Sequence, residues 1–262
     1  MSDLRPLALV TGASSGIGTE LARQFAAHGY DLVVNAEDDA IEAAAEQLRM
    51  GGSAVQAVQA DLRTREGVEQ LWSAVTTLGR GVDAAALNAG IGLGKAFVDQ
   101  DLDDVFGVID LNVRGTVHLA HLVLKDMVAR GAGRVLITSS IASTQPGAFQ
   151  AIYNATKSFE QSFAEALQEE LKDTGVTLTS LMPGPVETNF FERADLMDTN
   201  IGQGPKDDAT AVAKQGFEAL MKGDRKIVAA SLSSKAMAAM GAVLPDSIKA
   251  LTHRQMAEPK DS

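Results

Sequence analysis

The chain has 262 residues, 45% of them hydrophobic, and a formal charge of −11 at pH 7. That length can bury a full core, and the acidic balance argues against nucleic acid or an anionic membrane as partner, since both select basic surfaces. There is no cysteine, hence no disulfide framework, thiolate nucleophile or cysteine-based metal site, and no metal is expected.

Met1-Ser2-Asp3-Leu4-Arg5-Pro6 precedes the first apolar run, Leu7 to Val10. This run is too short for a signal segment or a membrane span, so a cytoplasmic protein is the expectation. It reads instead as a buried parallel strand closed by Thr11-Gly12. Gly12-Ala13-Ser14-Ser15-Gly16-Ile17-Gly18 follows, then a helical pattern through Leu21, Phe25 and Ala26 that Gly29 stops. A strand, a glycine-rich turn and a helix in that order bring bare backbone amides to a helix N-terminus, where N–H groups and dipole bind a pyrophosphate. The spacing Gly12, Gly16, Gly18 is not G-x-G-x-x-G, and a glycine cluster alone serves a tight turn equally well.

The alternation continues. Leu32 to Val34 is a second strand, ending at Asn35-Ala36-Glu37, and Ile41 to Met50 a helix stopped by Gly51-Gly52. Ala54 to Val58 is a third strand running into Asp61-Leu62; a helix over Val68 to Leu78 leads to a fourth strand, Val82 to Leu87, capped by Asn88-Ala89-Gly90. One long helix is expected from about Leu102 to Arg130 with Leu111-Asn112-Val113 in its middle, then a fifth strand, Arg134 to Thr138, ending at Ser139-Ser140. A helix carrying Tyr153 and Lys157 reaches about Lys172, a sixth strand spans Val176 to Leu181, and Pro183-Gly184-Pro185-Val186-Glu187-Thr188 leaves its end. Val212 to Met221 reads as a helix and Lys226 to Ala229 as a seventh strand. Strands separated by helices of this length argue an α/β fold with a parallel sheet and right-handed crossovers. Ligands bind at the carboxyl ends of such strands, where each of these polar motifs falls.

Tyr153 and Lys157, at i and i+4, share one helix face. An ammonium fixed beside a phenol favours the phenolate and draws its pKa down from ~10 toward the working range. A hydroxyl such as Ser140 polarising a carbonyl oxygen nearby would complete a proton-transfer site. By itself, a tyrosine and a lysine four apart on a helix equally well describe packing beneath a solvated amine.

Taken together, these stretches resemble the short-chain dehydrogenase/reductase family from Leu7 to about Thr188. Thr11 to Gly18 resembles its cofactor turn, Asn88-Ala89-Gly90 its fourth-strand motif, and Asn112, Ser140, Tyr153 and Lys157 its catalytic set; Pro183-Gly184 and Thr188 resemble the segment that closes over the nicotinamide. The resemblance implies a doubly wound Rossmann fold with a seven-stranded parallel sheet, helices on both faces and a small C-terminal lid or extension, over residues 1–262 as a single domain. It further implies an NAD(P)-dependent oxidoreductase acting on a secondary alcohol or its ketone or aldehyde. Gly12, Ser14, Ser15, Gly16, Ile17 and Gly18 would hold the pyrophosphate, Asp61 and Leu62 the adenine, and Asn88, Ala89, Gly90, Pro183, Gly184, Val186 and Thr188 the rest of the nucleotide. Ser140 would hold the substrate oxygen, Tyr153 would transfer the proton, and Lys157 would lower the Tyr153 pKa and hold the ribose hydroxyls. Asn112 would anchor a water joining Lys157 to solvent.

At the end of the second strand, the family's NAD-type aspartate would fall at Ala36 and its NADP-type arginine at Glu37. With Glu37, Asp38 and Asp39 together and no lysine or arginine between Gly12 and Gly18, NAD(H) is expected over NADP(H). Residues 188–206 resemble a mobile substrate lid, a plain surface loop being the alternative, and Phe149, Phe190, Phe191 and Met197 suggest an apolar pocket. Residues 230–262 look like an extension, packed as core or lid or else facing a membrane or partner. The apolar Val117, Leu119, Leu122, Val123, Met127, Phe159, Phe163 and Leu167 suggest self-association as a homo-oligomer, a tetramer by resemblance. A binding protein that senses nicotinamide nucleotide without turnover is the alternative function; the intact Asn112, Ser140, Tyr153, Lys157 set argues against it.

Overall fold

The computed structural model describes residues 5–229, 231 and 245–260. Among these, seven strands form one wholly parallel sheet: β1 Leu7–Thr11, β2 Asp31–Ala36, β3 Val55–Gln59, β4 Ala84–Leu87, β5 Gly133–Thr138, β6 Val176–Pro183 and β7 Lys226–Ala229. Their order is β3-β2-β1-β4-β5-β6-β7. The chain winds outward from β1 in one direction and from β4 in the other, so a crevice opens above their carboxyl ends. This is the doubly wound α/β arrangement that the alternation predicts.

Both faces of the sheet are covered, which is why the strands read as unbroken apolar runs rather than alternating ones. In β1, Leu7 and Leu9 enter one core with Leu119, Val123 and Met127, while Ala8 and Val10 enter the other with Leu21, Phe25 and Phe217. The helices α1 Gly16–Ala27, α2 Ala40–Met50 and α3 Arg65–Thr77 follow the first three strands. Phe25 is fully buried, with Tyr30 and Phe217 set edge-on to its ring at centroid distances of 5.2 and 5.1 Å.

The expected long helix is three pieces on one axis: α4 Leu102–Ile109, a π-helical stretch Asp110–Gly115, and α5 Thr116–Arg130. The Thr116 hydroxyl back-bonds to the Leu111 carbonyl at 3.4 Å, and a Cβ on Gly115 would lie 2.3 Å from the Leu62 carbonyl oxygen. The helix widens where it meets the loop after β3, a distortion often found at functional sites, and Asn112 sits inside it.

The helix α6 Ala151–Glu170 follows β5. Residues 188–206 are neither strand nor plain loop. They contain the short helices α7 Phe190–Arg193 and α8 Asn200–Gln203, tied by a small cluster of Phe191, Ala194 and Leu196. The helix α9 Ala209–Lys222 precedes β7, and a C-terminal helix, Asp246–Ala257, packs against α8. Residues 232–244 of the expected extension lie outside the described residues. No helix among those described is long and apolar enough to cross a membrane.

The helix faces expected to carry self-association are less apolar at the surface than their sequence suggests. Leu119, Val123 and Met127 belong to the chain's own core, because α5 packs against α3 and the sheet. Of the eight, Phe159 alone is exposed, its ring stacked on the partly buried Phe163 at 5.7 Å.

Candidate active site

The strand ends are joined by polar side chains that the apolar runs deliver to one edge. The Thr11 hydroxyl accepts from the backbone N–H groups of Asn88 and Ala89, both at 3.0 Å. The Asn88 amide donates to the Thr11 carbonyl at 3.2 Å, and its Oδ1 accepts from the Thr138 hydroxyl at 3.0 Å. β1, β4 and β5 are thus stitched together beneath a cavity of about 610 Å³.

Every residue that the sequence assigns to the site lines this cavity except Gly18 and Asn112, which stand directly behind its wall. Gly12 and Gly16 take φ of 64° and 60°, values that side chains disfavour. A Cβ on Gly16 would lie 2.8 Å from Thr188 Cγ2, and one on Gly18 would lie 2.0 Å from the Gly12 carbonyl oxygen. The N-cap residue of α1, Ser15, makes no side-chain cap bond, so the first-turn amides are available to a ligand. A cradle of bare amides at an uncapped helix N-terminus fits a pyrophosphate, and Gly12, Ser14, Ser15, Gly16 and Ile17 are the residues that would hold it.

The adenosine end differs from the expectation of uncompensated acid. Arg63, just past β3, donates from Nε to both Asp61 oxygens at 3.0 Å and from a terminal nitrogen to Glu37 Oε2 at 2.9 Å. Burial alone would raise the Asp61 carboxyl, but its hydrogen bonds with Arg63 outweigh it and hold the group below the usual range. Arg193 of α7 comes within 3.6 Å of Asp38. Both arginines are remote in sequence from the Gly12 to Gly18 turn, and the fold brings them to the acidic run.

At the other end α6 presents Tyr153, Lys157 and Glu160. The Lys157 ammonium donates to the Thr138 carbonyl at 2.9 Å and to Glu160 Oε2 at 2.8 Å, with both side chains almost wholly buried. Burial works against the ammonium, but Glu160 and Tyr153 outweigh it and keep Lys157 protonated. Burial pushes the Glu160 carboxyl up to about 7 although Lys157 pulls the other way. Lys157 lies 5.9 Å from the centroid of the Tyr153 ring.

Tyr153 corrects the simple expectation of a lowered phenol pKa. Burial raises it, Lys157 and a hydrogen bond with the Ser140 side chain lower it, Glu160 raises it again, and the balance is upward. Ser140 sits where β5 ends, its Oγ also accepting from the Ala142 N–H at 3.1 Å. Asn112 is fully buried. Its Oδ1 accepts from the Ile91 N–H at 3.0 Å, and its amide donates to the Ile91 carbonyl at 2.9 Å and to the Thr156 hydroxyl at 3.0 Å. It therefore braces the loop after β4 against α6. A Cβ on Gly90 would lie 3.1 Å from Lys157 Nζ and 3.3 Å from Asn112 Oδ1, so a side chain there would crowd both groups.

Of the four apolar residues expected around the substrate, Phe190 and Phe191 line the cavity and Phe149 and Met197 do not. Phe190 covers Tyr153, with ring centroids 5.2 Å apart. Phe149, at φ 62°, turns instead toward Arg254, and Met197 is exposed. The C-terminal helix supplies Lys249, Thr252, His253 and Met256 to the wall, none of which carries a readable motif. His253 is buried, its Nδ1 is 2.9 Å from the Ala148 carbonyl, and burial lowers its pKa. No group of three or more metal-ligating side chains gathers among the described residues.

Residues 6–198 match the short chain dehydrogenase family, so the chain belongs to that family of NAD(P)-dependent oxidoreductases. It is 34% identical to sulfoacetaldehyde reductase 2 of Chromohalobacter salexigens over 193 residues, 72% of this chain and 75% of that one. A short-chain dehydrogenase from Sphingobium yanoikuyae, solved with NADPH, is 28% identical with a TM-score of 0.77, covering 90% of this chain and 93% of that chain. A short chain dehydrogenase/reductase from Burkholderia phymatum, solved with NAD, shares the fold at 24% identity and TM-score 0.80, covering 91% and 93%.

The glycine cradle gives a direct test. Gly18→Ala forces a Cβ into the Gly12 carbonyl. It is expected to destabilise the fold by about 1–3 kcal/mol and to weaken nucleotide binding by roughly tenfold or more, read by denaturant unfolding and by NADH fluorescence titration.

Proposed function

We propose that the protein interconverts an alcohol with its ketone or aldehyde, with Tyr153 as the proton carrier. The observation that carries this reading is the convergence of the Tyr153 phenol, the Ser140 hydroxyl and the Lys157 ammonium at one end of a cavity whose other end is an amide cradle. The nicotinamide, when bound, supplies or accepts the hydride. Ser140 holds the substrate oxygen by a hydrogen bond, and in reduction Tyr153 gives that oxygen the proton that balances the hydride at carbon; in oxidation it takes the proton back. Lys157 keeps one N–H for the ribose hydroxyls after bonding Thr138 and Glu160. Phe190, over the phenol, excludes water from the reacting oxygen.

The raised Tyr153 pKa sets the pH dependence. A phenol must be protonated to act as acid, so reduction holds up to the folded pKa and falls above it, whereas oxidation climbs as pH rises toward that value. The decisive variant is Tyr153→Phe, which keeps the packing and removes the proton. Assayed with a carbonyl panel, it is expected to lose kcat by ~10²–10⁴-fold with nucleotide affinity nearly unchanged; retention of more than about a tenth of kcat would sink the assignment.

For the nucleotide, NAD(H) is the proposed partner. Arg63 is already engaged by Asp61 and Glu37, so a 2′-phosphate would have to displace a carboxylate while Asp38 and Glu37 repel it. An NAD(H) preference of roughly tenfold in kcat/KM is expected, reversed or erased by Glu37→Arg. A wild type that prefers NADPH would show that Arg63 turns to the phosphate instead.

Self-association as a tetramer is also proposed, through the face of α6 that leaves the Phe159 and Phe163 stack at the surface. Sedimentation at micromolar concentration should give a homo-oligomer, and Phe159→Asp should dissociate it; a monomeric wild type would refute this.

A further inference from the structure

Tyr153, Lys157 and Glu160 lie at i, i+4 and i+7 on one stripe of α6, and the third of them has no part in the proton transfer described above. We infer that Glu160 is a positioning residue: as the buried counter-ion of Lys157 it keeps the Tyr153 phenol protonated and biases the site toward carbonyl reduction.

The geometry leaves Glu160 little else to do. Its carboxylate is almost wholly excluded from solvent and takes one Lys157 N–H at 2.8 Å, while the Thr138 carbonyl takes a second at 2.9 Å. Tyr153 itself also helps hold the Lys157 proton, so an ammonium without its carboxylate would pair with the phenolate and favour it. With the carboxylate on its far side, the ammonium becomes half of a neutral pair and most of that pull cancels. Burial of the phenol then prevails, and the ring stays protonated.

The charged groups acting here are one another. Glu160 feels Lys157, Lys157 feels Glu160 and Tyr153, and Tyr153 feels Lys157 and Glu160. The neighbouring elements present uncharged groups: Thr138 from β5, Asn112 from the π-helical stretch and Ser180 from β6, which bonds Gln161. Asp110 of that stretch is paired with Arg114 toward solvent. With its carboxyl at about 7, Glu160 is ionised throughout the alkaline range in which the phenol titrates, and its charge acts on the phenol there. A proton on Glu160 frees the charge of Lys157 and makes the phenol a stronger acid; its loss makes the phenol a weaker one.

The consequence for turnover rests on Tyr153 being the proton carrier, but the linkage does not, so the two are measured separately. The chain has two tyrosines, and Tyr30→Phe leaves Tyr153 as the one phenol whose tyrosinate absorbance is followed against pH, without substrate or nucleotide. In that background Tyr153 should titrate above ~10. Adding Glu160→Gln should bring it down by about one to two pH units, whereas Glu160→Asp should keep most of the elevation. Glu160→Leu, which removes the charge and fills the space with apolar atoms, carries the same expectation should the amide variant not fold. A titration unmoved or raised by loss of the carboxylate would overturn the inference. The pH profile of alcohol oxidation should shift by the same amount in Glu160→Gln. A moved tyrosinate titration with an unmoved rate profile would uphold the linkage and overturn Tyr153 as proton carrier.

Discussion

The constraint on which the cavity depends is the burial of one ammonium. An isolated charge inside a protein costs several kcal/mol unless it is paired and hydrogen-bonded, and Lys157 meets that condition through a relay that crosses the sheet. Its Nζ bonds the Thr138 carbonyl; the Thr138 hydroxyl bonds Asn88; Asn88 bonds both carbonyl and hydroxyl of Thr11; and Thr11 leads into the glycine turn. The amide cradle at one end of the cavity and the phenol at the other are therefore parts of one hydrogen-bonded body. Loss of a single link leaves a buried polar group unpaired, which costs more than the bond itself contributes.

That relay also explains why some of the structure was legible in the sequence and some was not. The strands from Leu7, Leu32, Val135 and Val176 are buried on both faces and read as apolar runs, and their polar end residues marked the site. Gly16 and Gly18 were legible because a Cβ has nowhere to go. Glu160 was not: in sequence a glutamate seven residues past a helical tyrosine looks like solvated surface, and only the tertiary packing of α6 on the sheet buries it. The π-helical stretch was also silent: it lies where Gly115 meets Leu62, a contact between segments distant in sequence.

At the adenosine end, charges that are adjacent in sequence mislead about charges that are adjacent in space. Glu37, Asp38 and Asp39 form an acidic run, yet Arg63 from the next strand end and Arg193 from α7 fold back onto two of them. These pairs are half exposed and individually weak. Their effect is geometric: Arg63 bonds Asp61 and Glu37 at once and so ties the end of the second strand to the end of the third.

The cavity accordingly has two kinds of wall. One is made of backbone and short polar side chains at strand ends, where a single added carbon is excluded, and it was readable residue by residue. The other is made by α7, α8 and the C-terminal helix, which contribute Phe190, Phe191, Lys249 and His253 through packing alone. Among the described residues the non-glycine positions with left-handed backbone are Lys95, Phe149 and Asp195, and Lys95 is paired with Asp195 at 2.5 Å. Such strained positions persist where the surrounding structure holds them. The side chains of this second wall stand outside the Thr11-to-Lys157 relay, and it is Phe190, with its ring centroid 5.2 Å from that of Tyr153, that joins the two walls at the phenol.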